Sequence, residues 1–445
     1  MSPLTRRSVR RALPPYELVP RVAAIHPGAR VHALDACGAE GWGTPPRGTG
    51  PGRSLLAIEP DAEFRGGQSA LAQARHWLSG HRASQPLAAF VLGSLDYDLG
   101  REFERIPSIL RADASDPPVY LAAFRAGYSF DPASGAGEVI GDDPRAVTRL
   151  AEVIDAAGEL PESQLPKSPQ LAAAHPLTSD ADFCASVTAI RDWIRRGDVY
   201  QVNLSRRLEI AGVAQSAAPG LYAELTAQTG APFSAYLDAG DRRVVSNSPE
   251  RFMRVEGVRV ETCPIKGTRA RGRGAAEDRW LAKQLMESPK DLAEHVMIVD
   301  LQRNDLGRVC RTGSIRVARF AELRSFATVH HRVSSIQGEL IDPGDWIGWL
   351  SATFPGGSIT GAPKLRAMEI IEELEPVRRG LYTGAIACFD AVGGADLSIA
   401  IRTAVLRRGQ LQLALGGGIV WDSTPEDELR ETQEKGRAFA RHWAS

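Results

Sequence analysis

The sequence has few cysteines, and they are poorly placed to pair with one another. They are odd in number, widely spaced and without a Cys-x-x-Cys motif: Cys37, Cys184, Cys263, Cys310 and Cys388. This pattern argues against a disulfide framework and against a structural zinc site. It predicts a protein of a reducing compartment, the cytoplasm.

Long apolar runs and an excess of one charge are also lacking. No run approaches the ~18 apolar residues that a membrane-spanning helix needs, so no membrane partner is predicted. The chain has 53 Lys and Arg against 54 Asp and Glu, a formal net charge of -1. Because nucleic-acid binding generally needs a basic surface, no nucleic-acid partner is predicted either. A small molecule is the expected ligand.

A proline-rich stretch divides the chain. Small and polar residues at 161–178 surround four prolines, Pro161, Pro166, Pro169 and Pro176. This composition is typical of a linker, and it predicts an N-terminal region at 1–160 and a second domain at 179–445. Short apolar runs at 55–58 and 88–92 are typical of strands. Together with the helical patterns that follow, they predict an α/β fold of the layered α+β type.

The second domain opens with a helix followed by an alternating strand. Ser179 or Asp180 can cap a helix whose apolar positions repeat at helical spacing and which Gly197 can end. Residues 199–210 then alternate, as in a strand with one apolar and one polar face. The polar face carries Gln201, Asn203, Ser205 and Arg207.

Two carboxylate pairs are candidate metal ligands. Asp291 and Glu294 lie three residues apart in a predicted helix. Glu428 and Glu431 repeat that spacing in the C-terminal helix, which Pro425 can begin. Oxygen donors from two helices can hold one hard cation. Each pair by itself is more typical of a solvated helix face, and spacing alone does not bring the helices together.

Lys266 stands between a predicted strand and a loop rich in glycine and arginine. Beside Gly267 it can approach a ligand closely, and with a lowered pKa it can act as a nucleophile. The alternative is an ordinary surface lysine. Glu250 is a candidate general acid, and the alternative for it is a turn carboxylate paired with Arg251.

Two glycine-rich stretches can approach an anion. Residues 354–364 resemble a phosphate-binding loop but lack its Gly-Lys-Ser/Thr ending, so phosphate is not the expected ligand. Thr360 and the backbone N–H groups of this stretch can instead hold a carboxylate ahead of the next helix. The second stretch, Gly416, Gly417 and Gly418, is a close-approach site or a strand-end turn.

Three further side chains are candidates for substrate contact. Arg402 and Lys435 can clamp a carboxylate, although either is also typical of an ordinary ion pair. His331 is a candidate acid–base group, but a single histidine is more often structural.

Taken together, these segments resemble the chorismate-utilising enzymes: anthranilate synthase component I, aminodeoxychorismate synthase component I, isochorismate synthase and salicylate synthase. The match is strong over about 180–442 and looser before it. The matching segments are GDVYQVNLSRR at 197–207, PIKGTRARG at 264–272, KDLAEHVMIVDLQRNDLG at 290–307, and residues 248–252, 354–368, 382–384, 401–403 and 416–435. The resemblance implies a large chorismate-binding fold, with β-sheets packed as a sandwich and flanked by helices.

Within this family, Pro-Ile-Lys-Gly-Thr around Lys266 is similar to aminodeoxychorismate synthases, whereas anthranilate synthases generally lack a nucleophile there. The resemblance implies that Lys266 attacks C2 of chorismate while the C4 hydroxyl leaves with help from Glu250. Ammonia then adds at C4 and expels the lysine, giving 4-amino-4-deoxychorismate for p-aminobenzoate and folate biosynthesis. The sequence lacks a Gly-x-Cys-x-Gly glutaminase motif, so a separate glutaminase subunit is the expected source of ammonia.

The resemblance also implies a magnesium site and a substrate site. Glu294 and Glu431 match positions that bind Mg²⁺ over the C1 carboxylate of chorismate, with Asp291 and Glu428 as water-mediated partners. His331, also placed in the substrate site, matches a histidine associated with pyruvate elimination, which is not expected here. Other substrate-binding positions are matched by Gly267, Thr268, Thr360, Tyr382, Arg402, Gly416, Gly417, Gly418 and Lys435.

One departure from the family bears on regulation, and Gln201 bears on which nucleophile is used. Relatives that bind tryptophan carry a serine after a Leu-Leu motif, but residues 33–37 contain none, so tryptophan feedback is not expected. Pro232, Phe233 and Ser234 still resemble part of a tryptophan site, which leaves structural tryptophan binding open. Water-adding relatives carry a lysine base where this chain has Gln201, which disfavours an isochorismate synthase.

Two alternatives remain at this stage. Anthranilate synthase component I would convert chorismate and ammonia directly to anthranilate, and Lys266 argues against it. A non-catalytic subunit would only bind chorismate or act as a scaffold for a glutaminase. The complete set of Lys266, Glu250, Glu294 and Glu431 argues against that second alternative.

Overall fold

Two large antiparallel sheets form the centre of the molecule. The computed structural model describes residues 4–36, 41–43, 52–81, 87–107, 110 and 117–440. In spatial order, the first sheet contains β1 (Thr5–Ser8), β8 (Ala136–Gly141), β7 (Ala126–Asp131), β3 (Ser54–Ile58), β2 (Val31–Asp35), β11 (Phe233–Asp238), β12 (Arg242–Ser248), β21 (Thr403–Arg407), β22 (Gln410–Ile419), β10 (Gln201–Ala211) and β18 (Gly361–Ala362), with β9 (His175–Pro176) also paired to β10.

The second sheet has the same antiparallel character. In spatial order it contains β15 (Ile265–Ala270), β17 (Val329–Glu339), β14 (Arg259–Thr262), β13 (Arg251–Glu256), β20 (Ala395–Ile399), β19 (Ala385–Asp390), β5 (Phe90–Leu95), β6 (Val119–Phe124) and β4 (Ala62–Gly66), with β16 (Arg316–Ser325) also paired to β17.

Helices cover the outer faces of both sheets. They are α1 (Pro15–Ile25), α2 (Gln68–Gly80), α3 (Gly100–Phe103), α4 (Pro144–Glu159), α5 (Asp180–Arg196), α6 (Ala218–Thr229), α7 (Ala275–Glu287), α8 (Pro289–Gly307), α9 (Trp346–Thr353), α10 (Lys364–Leu374) and α11 (Pro425–Ala440). Within the described ranges, no helix is both long enough and apolar enough to cross a bilayer.

The two sheets pack face to face. Leu34 and Phe233 of the first sheet share one buried apolar cluster with Phe90, Phe124 and Ile386 of the second. Alternate residues of each strand point to opposite faces, so the other face of each sheet is free to pack against helices. This arrangement confirms the predicted layered α/β class and the sandwich of sheets flanked by helices.

Both sheets combine strands from either side of the proline-rich stretch at 161–178. Strand β2 pairs with β11, where Ser234 lies opposite Asp35. Strand β5 pairs with β19, where Ala385 lies opposite Leu95. The division into domains at 1–160 and 179–445 stays a prediction. Neither segment forms a separate sheet.

The helix and strand that open the second segment form where the local pattern predicts them. The Ser179 hydroxyl accepts a hydrogen bond from the backbone N–H of Asp182, which caps α5, and Gly197 ends the helix with a φ of 84°. Strand β10 follows from Gln201 onward, and Tyr200, which the pattern at 199–210 placed on the apolar face, is 71% exposed. The polar face of β10 is buried rather than solvated, because Gln201 is 0% exposed and Asn203 is 6% exposed.

Candidate active site

Lys266 lies at an irregularity of β15. The pairing of β15 with β17 shifts register between Ile265 and Thr268, so Lys266 and Gly267 form a bulge. Gly267 has a φ of +87°, a left-handed conformation that favours glycine. A bulge can redirect a side chain away from the regular alternation of a strand. Here it sends Lys266 toward the polar face of β10.

The Lys266 amine and the Gln201 amide meet at Gly418 of β22. A Cβ atom built on Gly418 would lie 3.0 Å from Lys266 Nζ and 3.0 Å from Gln201 Nε2. The absence of a side chain at Gly418 therefore leaves space between the two groups. Both polar atoms of the Gln201 amide are buried without a hydrogen-bond partner in the structure. Since buried amides are normally paired, these atoms mark a place for a polar ligand.

Burial tunes the protonation of Lys266. Loss of solvent lowers the pKa of its amine, and the carboxylates of Glu294 and Glu250 act in the opposite direction. A lowered pKa increases the fraction of neutral amine, which is the nucleophilic form. The prediction of a surface lysine is therefore the weaker of the two alternatives.

Glu250 lies between β12 and β13 and is only 5% exposed. Burial raises its pKa to about 7, while a hydrogen bond from Ser358 and the charge of Lys266 act to lower it. The Ser358 hydroxyl donates to Glu250 Oε1 at 2.8 Å. A carboxyl with this pKa is partly protonated near neutral pH, as a general acid must be. Glu250 is thus not simply the turn partner of Arg251, which instead pairs with Asp396 at 3.0 Å.

The carboxylates of Glu428 and Glu431 face Gly417. A Cβ atom built on Gly417 would lie 3.2 Å from Glu428 Oε2 and 3.4 Å from Glu431 Oε1. Glu428 accepts a hydrogen bond of 2.6 Å from Ser423, and burial raises its pKa. Lys435 pairs with Glu431 at 2.7 Å and lowers the pKa of that carboxyl. Helix α11 thus brings two carboxylates and a lysine to the glycines of β22.

The second predicted pair lies on α8. Burial raises the pKa of Glu294, and the nearby carboxylates of Asp291 and Glu431 act in the same direction. The effect of Glu431 on Glu294 links α8 to α11 electrostatically, which spacing alone could not predict. Asp291 turns toward Arg269, with 3.0 Å between Asp291 Oδ2 and the guanidinium.

The four carboxylates are not gathered around one point. Over the described part of the chain, no group of three or more His, Cys, Asp or Glu side chains is arranged to hold a metal ion. Asp291, Glu428 and Glu431 are each engaged by a partner within the protein. Two carboxylates at Gly417, with Glu294 nearby, still match the oxygen ligands that Mg²⁺ prefers.

Thr268 and His331 lie opposite each other on β15 and β17. The Thr268 hydroxyl is 2.9 Å from His331 Nδ1. The second ring nitrogen, Nε2, is buried without a partner. Burial lowers the pKa of His331 to about 3, and the charge of Arg402 adds to the effect, so the ring is neutral near pH 7.

Thr360, Tyr382 and Arg402 are three further residues that were predicted to contact the substrate. The Thr360 hydroxyl is fully buried and donates to the carbonyl of Gly356 at 3.0 Å, so the glycine-rich loop uses it internally. Tyr382 is 8% exposed, and burial raises the pKa of its hydroxyl. Burial lowers the pKa of Arg402, whose backbone has a φ of 51°.

A tryptophan of the chain itself occupies the predicted tryptophan segment. The Trp42 indole packs edge-on to Phe233, with 5.5 Å between ring centroids, and its N–H donates to the carbonyl of Ser234 at 2.9 Å. Pro232 is buried beside them, and a Cβ atom on Gly41 would lie 2.4 Å from its carbonyl oxygen. Cys37, which ends the segment 33–37, lies outside the described residues.

Three side chains of the site were not identified from the sequence. Ser358 contacts Glu250, and the ion pair of Glu375 with Arg379 lies behind β10 and Tyr382. Ser358 belongs to the glycine-rich stretch 354–364, so its position in the sequence could have identified it. Nothing local marks Glu375 or Arg379, because their partners on β10 are more than 100 residues away in sequence.

Comparison with known proteins agrees with this geometry. The chorismate binding enzyme family model matches residues 37–441. The chain is 40% identical to aminodeoxychorismate synthase component 1 of Bacillus subtilis over 79% of this chain and 76% of that protein. It is 38% identical to anthranilate synthase component 1 of Thermus thermophilus over 81% of this chain and 79% of that protein.

A solved structure supports the same assignment. The crystal structure of anthranilate synthase component I from Streptococcus pneumoniae superposes with a TM-score of 0.77 at 29% identity. The superposition covers 86% of this chain and 91% of that one. The family match spans most of the sequence and includes every residue placed in the site above. The chain therefore belongs to the family of chorismate binding enzymes.

Proposed function

We propose that this chain aminates chorismate at C4 to form 4-amino-4-deoxychorismate. One observation carries the proposal. The Lys266 amine has a pKa lowered by burial and lies across Gly418 from an unpartnered amide, while Glu250 has a pKa of about 7. The lowered pKa of Lys266 favours a nucleophilic amine, and the raised pKa of Glu250 favours a carboxyl that can act as a general acid.

In the first step, the neutral Lys266 amine bonds to C2 of chorismate. The ring double bonds shift, the C4–O bond breaks, and Glu250 delivers a proton so that water leaves. In the second step, ammonia bonds to C4, the double bonds shift back, and the C2–N bond to Lys266 breaks. The ionised Glu250 takes up the proton released by the incoming amine, which resets the site.

Gln201 favours ammonia over water as the second nucleophile. Its amide is neutral and cannot remove a proton from water, whereas neutral ammonia is nucleophilic enough to attack without first losing a proton. The amide can still accept or donate one hydrogen bond to a small polar molecule beside Lys266. This arrangement disfavours isochorismate formation.

Magnesium is part of the proposal. Glu294 and Glu431 would hold the ion, with Asp291 and Glu428 acting through water, and Lys435 would have to release Glu431. When bound, Mg²⁺ neutralises and orients a substrate carboxylate. Gly416, Gly417 and Gly418 would let that carboxylate approach the backbone of β22.

Ammonia is proposed to come from a separate glutaminase subunit. The sequence contains no Gly-x-Cys-x-Gly motif, and several relatives are named as component 1 of an enzyme. We expect the chain alone to use ammonium salts and not glutamine. The product would then serve p-aminobenzoate and folate biosynthesis.

Anthranilate synthase component I is the second candidate, because such relatives match at similar identity. Chromatography of the product from chorismate, Mg²⁺ and ammonium separates the two. Anthranilate appearing directly would support the second candidate. If the chain binds chorismate but forms no product, the result would support a non-catalytic subunit.

The decisive experiment is intact-protein mass spectrometry after mixing with chorismate and Mg²⁺ but no ammonia. We expect a mass increase of chorismate minus water, mapped to Lys266. Lys266→Ala should lose the adduct, whereas Lys283→Ala, on the exposed face of α7, should keep it. An adduct that survives Lys266→Ala moves the nucleophile to another residue and contradicts the mechanism.

A further inference from the structure

The Glu375–Arg379 ion pair lies directly behind the proposed substrate site and is almost completely buried. The two side chains are 5% and 2% exposed, and 2.7 Å separates Arg379 Nη2 from Glu375 Oε1. Both residues belong to the segment between α10 and β19. Burying both charges has a large desolvation cost, so such a pair is weak evidence for a contribution to stability.

Arg379 uses all five of its N–H groups. Two of them bind Glu375, at 2.9 Å from Nε and 2.7 Å from Nη2. The others bind the carbonyl of Ile359 at 3.0 Å, the carbonyl of Asn203 at 2.5 Å and the Thr383 hydroxyl at 3.2 Å. The guanidinium therefore connects the glycine-rich loop, strand β10 and the turn before β19.

Glu375 adds a second connection to β10. Its Oε1 atom accepts from the backbone N–H of Ser205 at 2.9 Å and from the Ser205 hydroxyl at 2.8 Å. Ser205 and Asn203 lie opposite Gly416 and Gly418 in the strand register. The ion pair thus contacts β10 at the residues that lie opposite the glycines of β22.

The same guanidinium also contacts aromatic rings. It lies 4.9 Å from the ring centre of Tyr97 and 5.8 Å from that of Tyr382. A planar cation over an aromatic face fixes the ring as well as the cation. Tyr382 lines the proposed substrate site, whereas Tyr97 lies behind it.

We propose that the Glu375–Arg379 pair positions the chorismate-binding residues, holding the polar face of β10, residues 356–360 and Tyr382 in one arrangement. The pair does not touch the substrate, and it acts through Tyr382 and β10. The inference rests on chorismate as the ligand of this site. It does not depend on whether the product is aminodeoxychorismate or anthranilate.

The test compares Arg379→Lys and Glu375→Gln with Arg243→Lys. Lysine keeps the charge but cannot supply five N–H groups or lie flat against a ring. Arg243 is the matched control, because it pairs at 2.9 Å with the buried Asp238 at the β11–β12 turn, away from the site. Each variant is measured for Tm and for kcat and KM with chorismate, Mg²⁺ and ammonium.

We expect Arg379→Lys to raise KM for chorismate by about tenfold or more, since small misplacements at a binding site have large kinetic effects. Glu375→Gln should also raise KM for chorismate. This variant provides the test if Arg379→Lys does not fold. Arg243→Lys should lower Tm with KM unchanged. Unchanged KM in both test variants, or an equal rise in Arg243→Lys, overturns the inference. A wild type that binds no chorismate overturns the proposed function as well.

Discussion

The carboxyl of Glu250 can change its protonation state near neutral pH. Its pKa of about 7 results from burial, which raises it, and from the Ser358 hydrogen bond and the charge of Lys266, which lower it. A general acid works in its protonated form. We therefore expect the rate to fall as pH rises through about 7.

Ser358→Ala tests this account. Loss of a donor to the ionised carboxylate should raise the pKa of Glu250 further, so the fall in kcat should move to higher pH. Ser351→Ala is the control, because the Ser351 hydroxyl donates only to the carbonyl of Gly348 in α9. The pH dependence of kcat is the measurement, and a fall that moves to lower pH would contradict the role given to Ser358.

The space between Lys266 and Gln201 depends on the absence of a side chain at Gly418. In Gly418→Ala the new methyl carbon would lie 3.0 Å from Lys266 Nζ and 2.9 Å from Gln201 Cδ. We expect kcat/KM for chorismate to fall about 100-fold, because displacements of the reacting groups by about 1 Å have effects of that size. Gly80→Ala, where a Cβ atom meets nothing within 4 Å, should leave it unchanged. Full activity of Gly418→Ala would remove this glycine from the site.

Among the elements, α5 and β10 show how much the local sequence predicts. The cap at Ser179 and the end at Gly197 are confirmed, and β10 forms from Gln201 onward, but its residues 201–206 are buried on both faces. The burial of the polar face of β10 could not be predicted, because the flanking strands β18 and β22 and the contacting Glu375 all come from distant parts of the sequence. That burial leaves both polar atoms of the Gln201 amide without a partner in the structure.

The α5 cap gives a prediction for stability. Ser179→Ala should lower the free energy of unfolding by about 1 kcal/mol, because the N–H of Asp182 loses its acceptor. Thr188→Ala, in the exposed middle of the same helix, should change it much less. Urea unfolding of the two variants measures both. Equal changes in the free energy of unfolding in the two variants would show that the cap makes no particular contribution to stability.

Strands from the two ends of the sequence alternate across the whole molecule. The apolar runs predicted strands at 55–58 and 88–92, but no local signal says that β2 pairs with β11 or β5 with β19. These pairings join residues that are hundreds of positions apart. The sequence therefore predicts the fold class and the family, whereas the arrangement of strands required the structure.

This interleaving predicts the behaviour of a fragment. Residues 179–445 alone would expose the edges of β11 and β19 and half of the apolar cluster between the sheets. Exposed edges and apolar faces lead to aggregation, so we expect no cooperative unfolding transition from this fragment. Circular dichroism and size-exclusion chromatography are the measurements. A monomeric fragment with a sharp transition would show that 179–445 is an independent domain.

The Trp42 side chain would compete with any aromatic ligand for the place beside Phe233 and Ser234. An indole attached through the backbone has an effective concentration on the order of millimolar or higher at the place it occupies. Free tryptophan at micromolar levels would have to displace both the contact with Phe233 and the hydrogen bond to Ser234. Calorimetry should therefore detect no tryptophan binding at this place in the wild type. The chain's own indole already fills the contact with Phe233 and the hydrogen bond to Ser234 that a free tryptophan would need at this place.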